Sequence, residues 1–99
     1  MTVTIELFYS PLCLYCPKAK KVVLEIAGEF GGKIKVEEVN VLSPAGLEKA
    51  EKYGVQGVPT IILNNKVKIA GVPTLQQLRK AIQRELDRVG KYGFMRGRE

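Results

Sequence analysis

From Val3 to Tyr9 the chain alternates apolar and polar positions and is rich in β-prone side chains, which predicts a first strand. Ser10-Pro11-Leu12 interrupts it. Beyond this break the period changes: Ala19, Val22, Val23, Ile26, Ala27 and Phe30 fall on one helical face. Pro17 has no N–H, so it fits only in the first turn of that helix, where an N–H would be unpaired in any case. Gly31-Gly32 ends the helix. Ile34, Val36, Val39 and Val41 predict a second strand whose phase slips at Glu37-Glu38, the mark of a bulge. Ser43-Pro44 opens a short helix as cap and first position, and Gly54 closes it after Tyr53. Thr60-Ile61-Ile62-Leu63 is a third strand, and Lys66–Ala70 a fourth. Asn64-Asn65 joins them as a two-residue turn, since Asn tolerates positive φ. Thr74 and Gln77 have capping-box spacing. The helix they start buries Leu75, Leu78, Ile82, Leu86 and Val89 and is expected to stop at Gly90.

The resulting order is β-α-β-α-β-β-α. The second and fourth strands mix Lys or Glu with apolar residues, as edges guarded against aggregation do. The first and third are more apolar and belong in the centre. The expected architecture is α/β, with a four-stranded central sheet flanked by three helices. The 99 residues make one domain over 1–90, followed by a basic C-terminal tail over 91–99. In that tail Tyr92, Phe94 and Met95 stand among glycines and arginines.

The 45% hydrophobic and 26% charged residues are the balance of a globular domain. No apolar run reaches about 18 residues, so no membrane span is expected. The first seven residues lack the basic start and apolar stretch of a signal peptide, which leads to an expected cytoplasmic location. The net charge of +6 raises the question of nucleic acid. Acidic and basic residues are interleaved, however, as in Glu48-Lys49, Glu51-Lys52, Arg84-Glu85 and Asp87-Arg88. That pattern describes solvated faces, and nucleic acid is not expected as a primary partner. With no His, the chain cannot use Ser/His or Cys/His nucleophiles or His-liganded metals.

The candidate chemistry lies in Cys13-Leu14-Tyr15-Cys16. As a structural staple this pair closes too short a loop to remove much entropy from the unfolded chain. As a zinc site it gives two ligands where four are usual, unless a homodimer shares two pairs. The third reading is a redox pair that opens and closes a disulfide. The predicted elements place both cysteines at the junction of a loop and a helix.

A strand, Cys13-Leu14-Tyr15-Cys16, a helix, and then Val58-Pro59-Thr60 opening a later strand together resemble the thioredoxin superfamily. So does Gly71 ahead of the last helix. Tyr53-Gly54-Val55-Gln56-Gly57-Val58-Pro59-Thr60 is similar to the thioredoxin cis-proline segment along its whole length. In size the chain resembles small archaeal thioredoxin/glutaredoxin-like proteins, and Tyr15 is glutaredoxin-like. The likeness covers about residues 3–89 and implies a thioredoxin-like fold with a mixed sheet. Three positions depart from the family. Leu7 replaces the buried acid of thioredoxins, Leu12 replaces their Trp, and Gly71-Val72-Pro73-Thr74 replaces the Gly-Gly-acidic glutathione motif of glutaredoxins.

The resemblance implies a protein-disulfide reductase that works by dithiol exchange. Cys13 would be the nucleophile, its thiolate favoured by the positive end of a helix. Cys16 would be the resolving thiol. Pro59 would be cis, and Val58 would pair its backbone with the substrate as a short added strand. Leu12, Tyr15 and Gly71 complete the expected substrate surface. Lys18 and Lys20 read as solvated helix residues more readily than as charges tuning the thiolate. No cofactor beyond the Cys13–Cys16 disulfide and no metal is expected. The expected partners are protein disulfides and a reductase that supplies electrons, with the protein itself a monomer. Two alternatives remain: a glutathione-dependent oxidoreductase, and a module that holds a soft ion such as Cu(I) on two thiolates.

Overall fold

The computed structural model of the chain describes the backbone of residues 2–98 and the side chains of residues 2–88. Its elements are β1 (Val3–Tyr9), α1 (Cys16–Phe30), β2 (Ile34–Asn40), α2 (Pro44–Lys52), β3 (Thr60–Leu63), β4 (Val67–Ala70) and α3 (Leu75–Arg98). A 3₁₀ turn over Gly31–Lys33 joins α1 to β2. The sheet order is β2-β1-β3-β4. β1 runs parallel to β2 and antiparallel to β3, which is antiparallel to β4. The strands that mix several Lys or Glu with apolar residues, β2 and β4, thus lie at the edges. The apolar strands lie at the centre, where burial on both faces favours them.

Side chains of alternate parity serve two cores. Val3, Ile5 and Leu7 of β1 pack with Ile61 and Leu63 of β3 against Ala19, Val23 and Ile26 of α1 and Leu78 and Ile82 of α3. On the other face Phe8 and Ile62 meet Ala50 of α2. Full burial of such side chains contributes roughly 1.5–3 kcal/mol each, so the larger core holds α1 and α3 to the sheet. Glu6 shares the α2 face, only 2% exposed, and its carboxylate is in contact with the ammonium of Lys49.

The expected bulge in β2 is not formed. Its register against β1 is unbroken from Val3↔Ile34 to Tyr9↔Asn40, with Glu37 opposite Glu6 and Glu38 opposite Leu7. The apolar residues change parity because β2 contributes to both cores: Ile34 and Val36 pack on the α1 side, Val39 on the α2 side. A strand that changes faces and a strand with an inserted residue have the same sequence pattern.

The helix ends follow the capping chemistry. Gly46 N–H donates to Ser43 Oγ at 3.0 Å, and Ser43 Oγ donates to the Asn40 carbonyl at 2.8 Å. Thr74 and Gln77 exchange two hydrogen bonds of 3.0 Å between backbone N–H and side-chain oxygen. Asn64 and Asn65 adopt φ of 51° and 59° in the β3–β4 turn. Asn64 Oδ1 also accepts from Thr4 N–H at 2.9 Å, which fastens the turn to β1. The expected stop of the last helix at Gly90 is not observed, because α3 continues to Arg98. An interior glycine costs a helix about 1 kcal/mol relative to alanine, and no proline follows to break the hydrogen-bond ladder. The side chains of Tyr92, Phe94 and Met95 lie outside the described residues.

Candidate active site

Because β3 is antiparallel to β1, the C-terminal end of β1 lies beside the N-terminal end of β3, where Phe8 pairs with Thr60. The loop leaving β1 carries Cys13, and the segment entering β3 carries Val58-Pro59. One end of the sheet therefore gathers both motifs.

Ser10 shapes the first of these loops. Its hydroxyl accepts from Leu12 N–H and its carbonyl from Cys13 N–H, each at 3.1 Å. α1 then begins at Cys16 with Tyr15 at its N-cap, and no side chain caps this end. Pro17 stands in the first turn, which contains no acidic residue. The first N–H groups of α1 are thus not taken by a side chain, and they supply positive potential where the cysteines lie. Cys13 and Cys16 are joined as a disulfide with a Cα–Cα separation of 5.4 Å. Their surroundings differ: Cys16 is 5% exposed, whereas Cys13 is half-buried.

Both cysteines line a cavity of about 300 Å³ together with Leu7, Tyr9, Lys20 and Glu38. Lys20 Nζ lies 3.4 Å from Glu38 Oε1. Lys18, the other lysine near the cysteines in sequence, is exposed and does not line this cavity. A second cavity, of about 250 Å³, is bordered by Val58, Pro59 and Gly71. The Val58–Pro59 peptide bond is cis. Two hydrogen bonds brace this segment: Gly71 N–H to the Pro59 carbonyl at 2.9 Å, and Thr60 Oγ1 to the Gly57 carbonyl at 2.6 Å. Among the described residues, the N–H and C=O of Val58 have no hydrogen-bond partner.

The residues expected from the sequence thus fall in both cavities, except that Leu12 and Tyr15 line neither. These two stand exposed beside Cys13, at 83% and 65%. Leu14 carries no signal in the sequence, yet at 90% exposure it is the most solvent-facing large apolar side chain among the described residues. Glu38 is, by sequence, only an edge-strand charge. The one sequence signal near it is Lys20, four residues after Cys16 and so on the same face of α1. Among the described residues, no three His, Cys, Asp or Glu side chains are grouped to hold a metal ion.

A model of the thioredoxin domain matches residues 1–83. The chain belongs to the thioredoxin family. A thioredoxin of Methanocaldococcus jannaschii is 45% identical over 84 residues, covering 85% of this chain and 96% of that protein. A probable thioredoxin of Methanothermobacter thermautotrophicus is 44% identical over 87 residues, covering 88% of this chain and all of that protein. Among solved structures, chloroplastic thioredoxin z superposes with a TM-score of 0.72 at 22% identity, over 84% of this chain and 77% of its own. Thioredoxin-2 of the malaria parasite superposes with a TM-score of 0.70 at 25% identity, over 84% and 82% of the two chains. With the Cys13–Cys16 disulfide at the head of α1, this thioredoxin-family chain is a thiol–disulfide oxidoreductase. The glutathione-dependent alternative gains no support from these relatives.

Proposed function

We propose that Cys13 attacks the disulfides of protein substrates and that Cys16 resolves the resulting intermediate. The observation that carries this assignment is the unequal burial of the pair at an uncapped helix end. Cys13 is the sulfur a substrate can reach, and its thiolate is favoured by the free N–H groups of α1. In the first step the Cys13 thiolate bonds to one substrate sulfur, and the other leaves as a thiolate. In the second, Cys16 bonds to Cys13 Sγ and the Cys13–substrate bond breaks. The substrate gains two electrons and two protons, and the Cys13–Cys16 disulfide is left for a reductase to open. The unpaired backbone of Val58 suits an extended substrate segment, bound by main-chain hydrogen bonds at a strand entrance. Leu12 and Tyr15 offer apolar contact beside the exchanging sulfurs, and Gly71 leaves the far side of the cis-proline cavity open. The pair works as a monomer in a reducing cytoplasm, where cysteines used for exchange rather than cross-linking are the usual pattern.

Trapping tests the assignment. Cys16→Ser retains partner proteins as mixed disulfides released by dithiothreitol, Cys13→Ser retains few, and both lose insulin reduction. Equal trapping by the two variants refutes the division of roles between the cysteines, and full activity of either refutes the dithiol mechanism.

A further inference from the structure

Resolution of the mixed disulfide requires Cys16 to become a thiolate, yet Cys16 is 5% exposed and meets little bulk water. Its proton must leave through the cavity that the two cysteines line. The unbroken β1–β2 register sets Glu38 opposite Leu7, and strand alternation turns both toward α1. Cys16 and Lys20 are one turn apart on that helix. These placements bring the Lys20–Glu38 pair, at 3.4 Å, to the wall of the same cavity of about 300 Å³. The titratable groups that line this cavity with Cys16 are Lys20 from α1, Tyr9 from β1, Glu38 from β2 and Cys13 from the loop. Among the described residues Glu38 is the one carboxylate lining it.

We propose that Glu38 is the proton acceptor for Cys16 in the resolving step, a reading that rests on the exchange mechanism above. The Glu38 carboxylate takes the Cys16 thiol proton, directly or through one water, as the Cys16 sulfur bonds to Cys13 Sγ. The bond from Cys13 to the substrate sulfur breaks, and the substrate thiolate leaves with the electron pair. Glu38 then passes its proton to that thiolate or to solvent. Two thiols of the protein have become one disulfide, and the substrate disulfide has become two thiols. In the reverse sense, when a reductase opens the Cys13–Cys16 bond, Glu38 returns a proton to Cys16. The ion pair with Lys20 holds the carboxylate at the cavity wall.

The test is a single turnover of reduced protein with a peptide carrying one disulfide, quenched in acid and followed by mass spectrometry. It compares wild type with Glu38→Gln, a change at a partly exposed edge-strand side chain whose ion pair contributes little to folding. The variant forms the mixed disulfide at the wild-type rate. At pH 6.5–7 it resolves the intermediate at least about tenfold more slowly. This is less than the ~10²–10⁴ that a positioned proton-transfer group contributes, because water partly replaces an accessible carboxylate. The deficit shrinks as pH rises beyond the ~8.5 of an ordinary thiol, because hydroxide then takes the proton of the buried Cys16 unaided, and Glu38→Asp recovers part of the rate at pH 7. Resolution at the wild-type rate at pH 6.5–7 overturns the proposal. A slowing by the same factor at every pH overturns it too, since that is the signature of altered packing. A reduced wild-type protein that leaves the peptide disulfide intact, together with a Cys16→Ser protein that forms no mixed disulfide with the peptide, refutes the exchange mechanism itself, and this proposal with it.

Discussion

Cys13 and Cys16 are the same residue type, three positions apart, and have different surroundings. Cys13 is half-buried on the loop, while Cys16 is buried as the first residue of α1. Uncapped N–H groups favour an anion at this helix end, so iodoacetamide alkylation of reduced Cys13 is expected to titrate below the ~8.5 of an ordinary thiol. An unshifted titration contradicts the nucleophile assignment. A second residue-scale effect lies under α2. Glu6 is 2% exposed beneath α2, with Glu37 opposite it on β2, and Lys49 supplies its counter-charge. The hydrogen bond to Glu6 holds Lys49 above its ordinary 10.5, against a smaller opposing cost of burial. A raised lysine pKa stabilises the fold fully below the ordinary value, and that stability is lost as pH rises through the folded one. Lys49→Met leaves a buried carboxylate without its partner and is expected to cost about 3 kcal/mol in urea unfolding at pH 7. The gap between wild type and variant should begin to narrow above the ordinary value of about 10.5 and close only as pH passes the raised value, where folded wild-type Lys49 loses its proton.

At the scale of elements, termini and register decide more than propensity. The N-terminus of α2 packs directly on the end of β2. A Cβ on Gly46 would overlap the Asn40 carbonyl oxygen and come within 2.8 Å of Ser43 Oγ. Neither neighbour can retreat, because the Asn40 carbonyl accepts from both the N–H and the hydroxyl of Ser43. Gly46→Ala is therefore expected to destabilise by about 3 kcal/mol, the upper part of the range for overpacking. Gly28 on the exposed side of α1 has nothing within 4 Å of such a Cβ. Gly28→Ala should instead stabilise by about 0.5–1 kcal/mol. Chemical denaturation of the two variants, measured side by side, checks both signs. The caps at Ser43 and Thr74 and the Asn64-Asn65 turn were legible in the sequence because each is made by neighbours within three residues. The continuation of α3 through Gly90 was not, because a helix stop is a balance of small local costs.

In the whole molecule the disulfide lies at one end of the sheet, away from most of the larger core. Arg79 of α3 binds both carboxylate oxygens of Glu29 on α1 at 2.8 Å, joining two helices that already share that core. The Cys13–Cys16 bridge closes a loop of four residues and constrains the unfolded chain little. Reduced and oxidised protein should therefore give the same far-UV circular dichroism spectrum and closely similar urea midpoints. Loss of secondary structure on reduction would identify the pair as a structural cross-link instead.

The sequence by itself determined the order of elements, the edge and central places of the strands, and the two cysteines at a helix entrance. Each of these follows from periodicity, charge alternation or short-range spacing, which are properties of neighbours along the chain. Tertiary structure alone decided which face each β2 residue occupies, because the parity change at Glu37-Glu38 has a meaning only once two cores exist. It also decided that Glu38, 22 residues beyond Cys16 in the chain, shares a cavity with it. No local pattern encodes that proximity. It arises from the parallel pairing of β1 with β2, which sets a carboxylate across from Leu7, and from the packing of α1 over both strands.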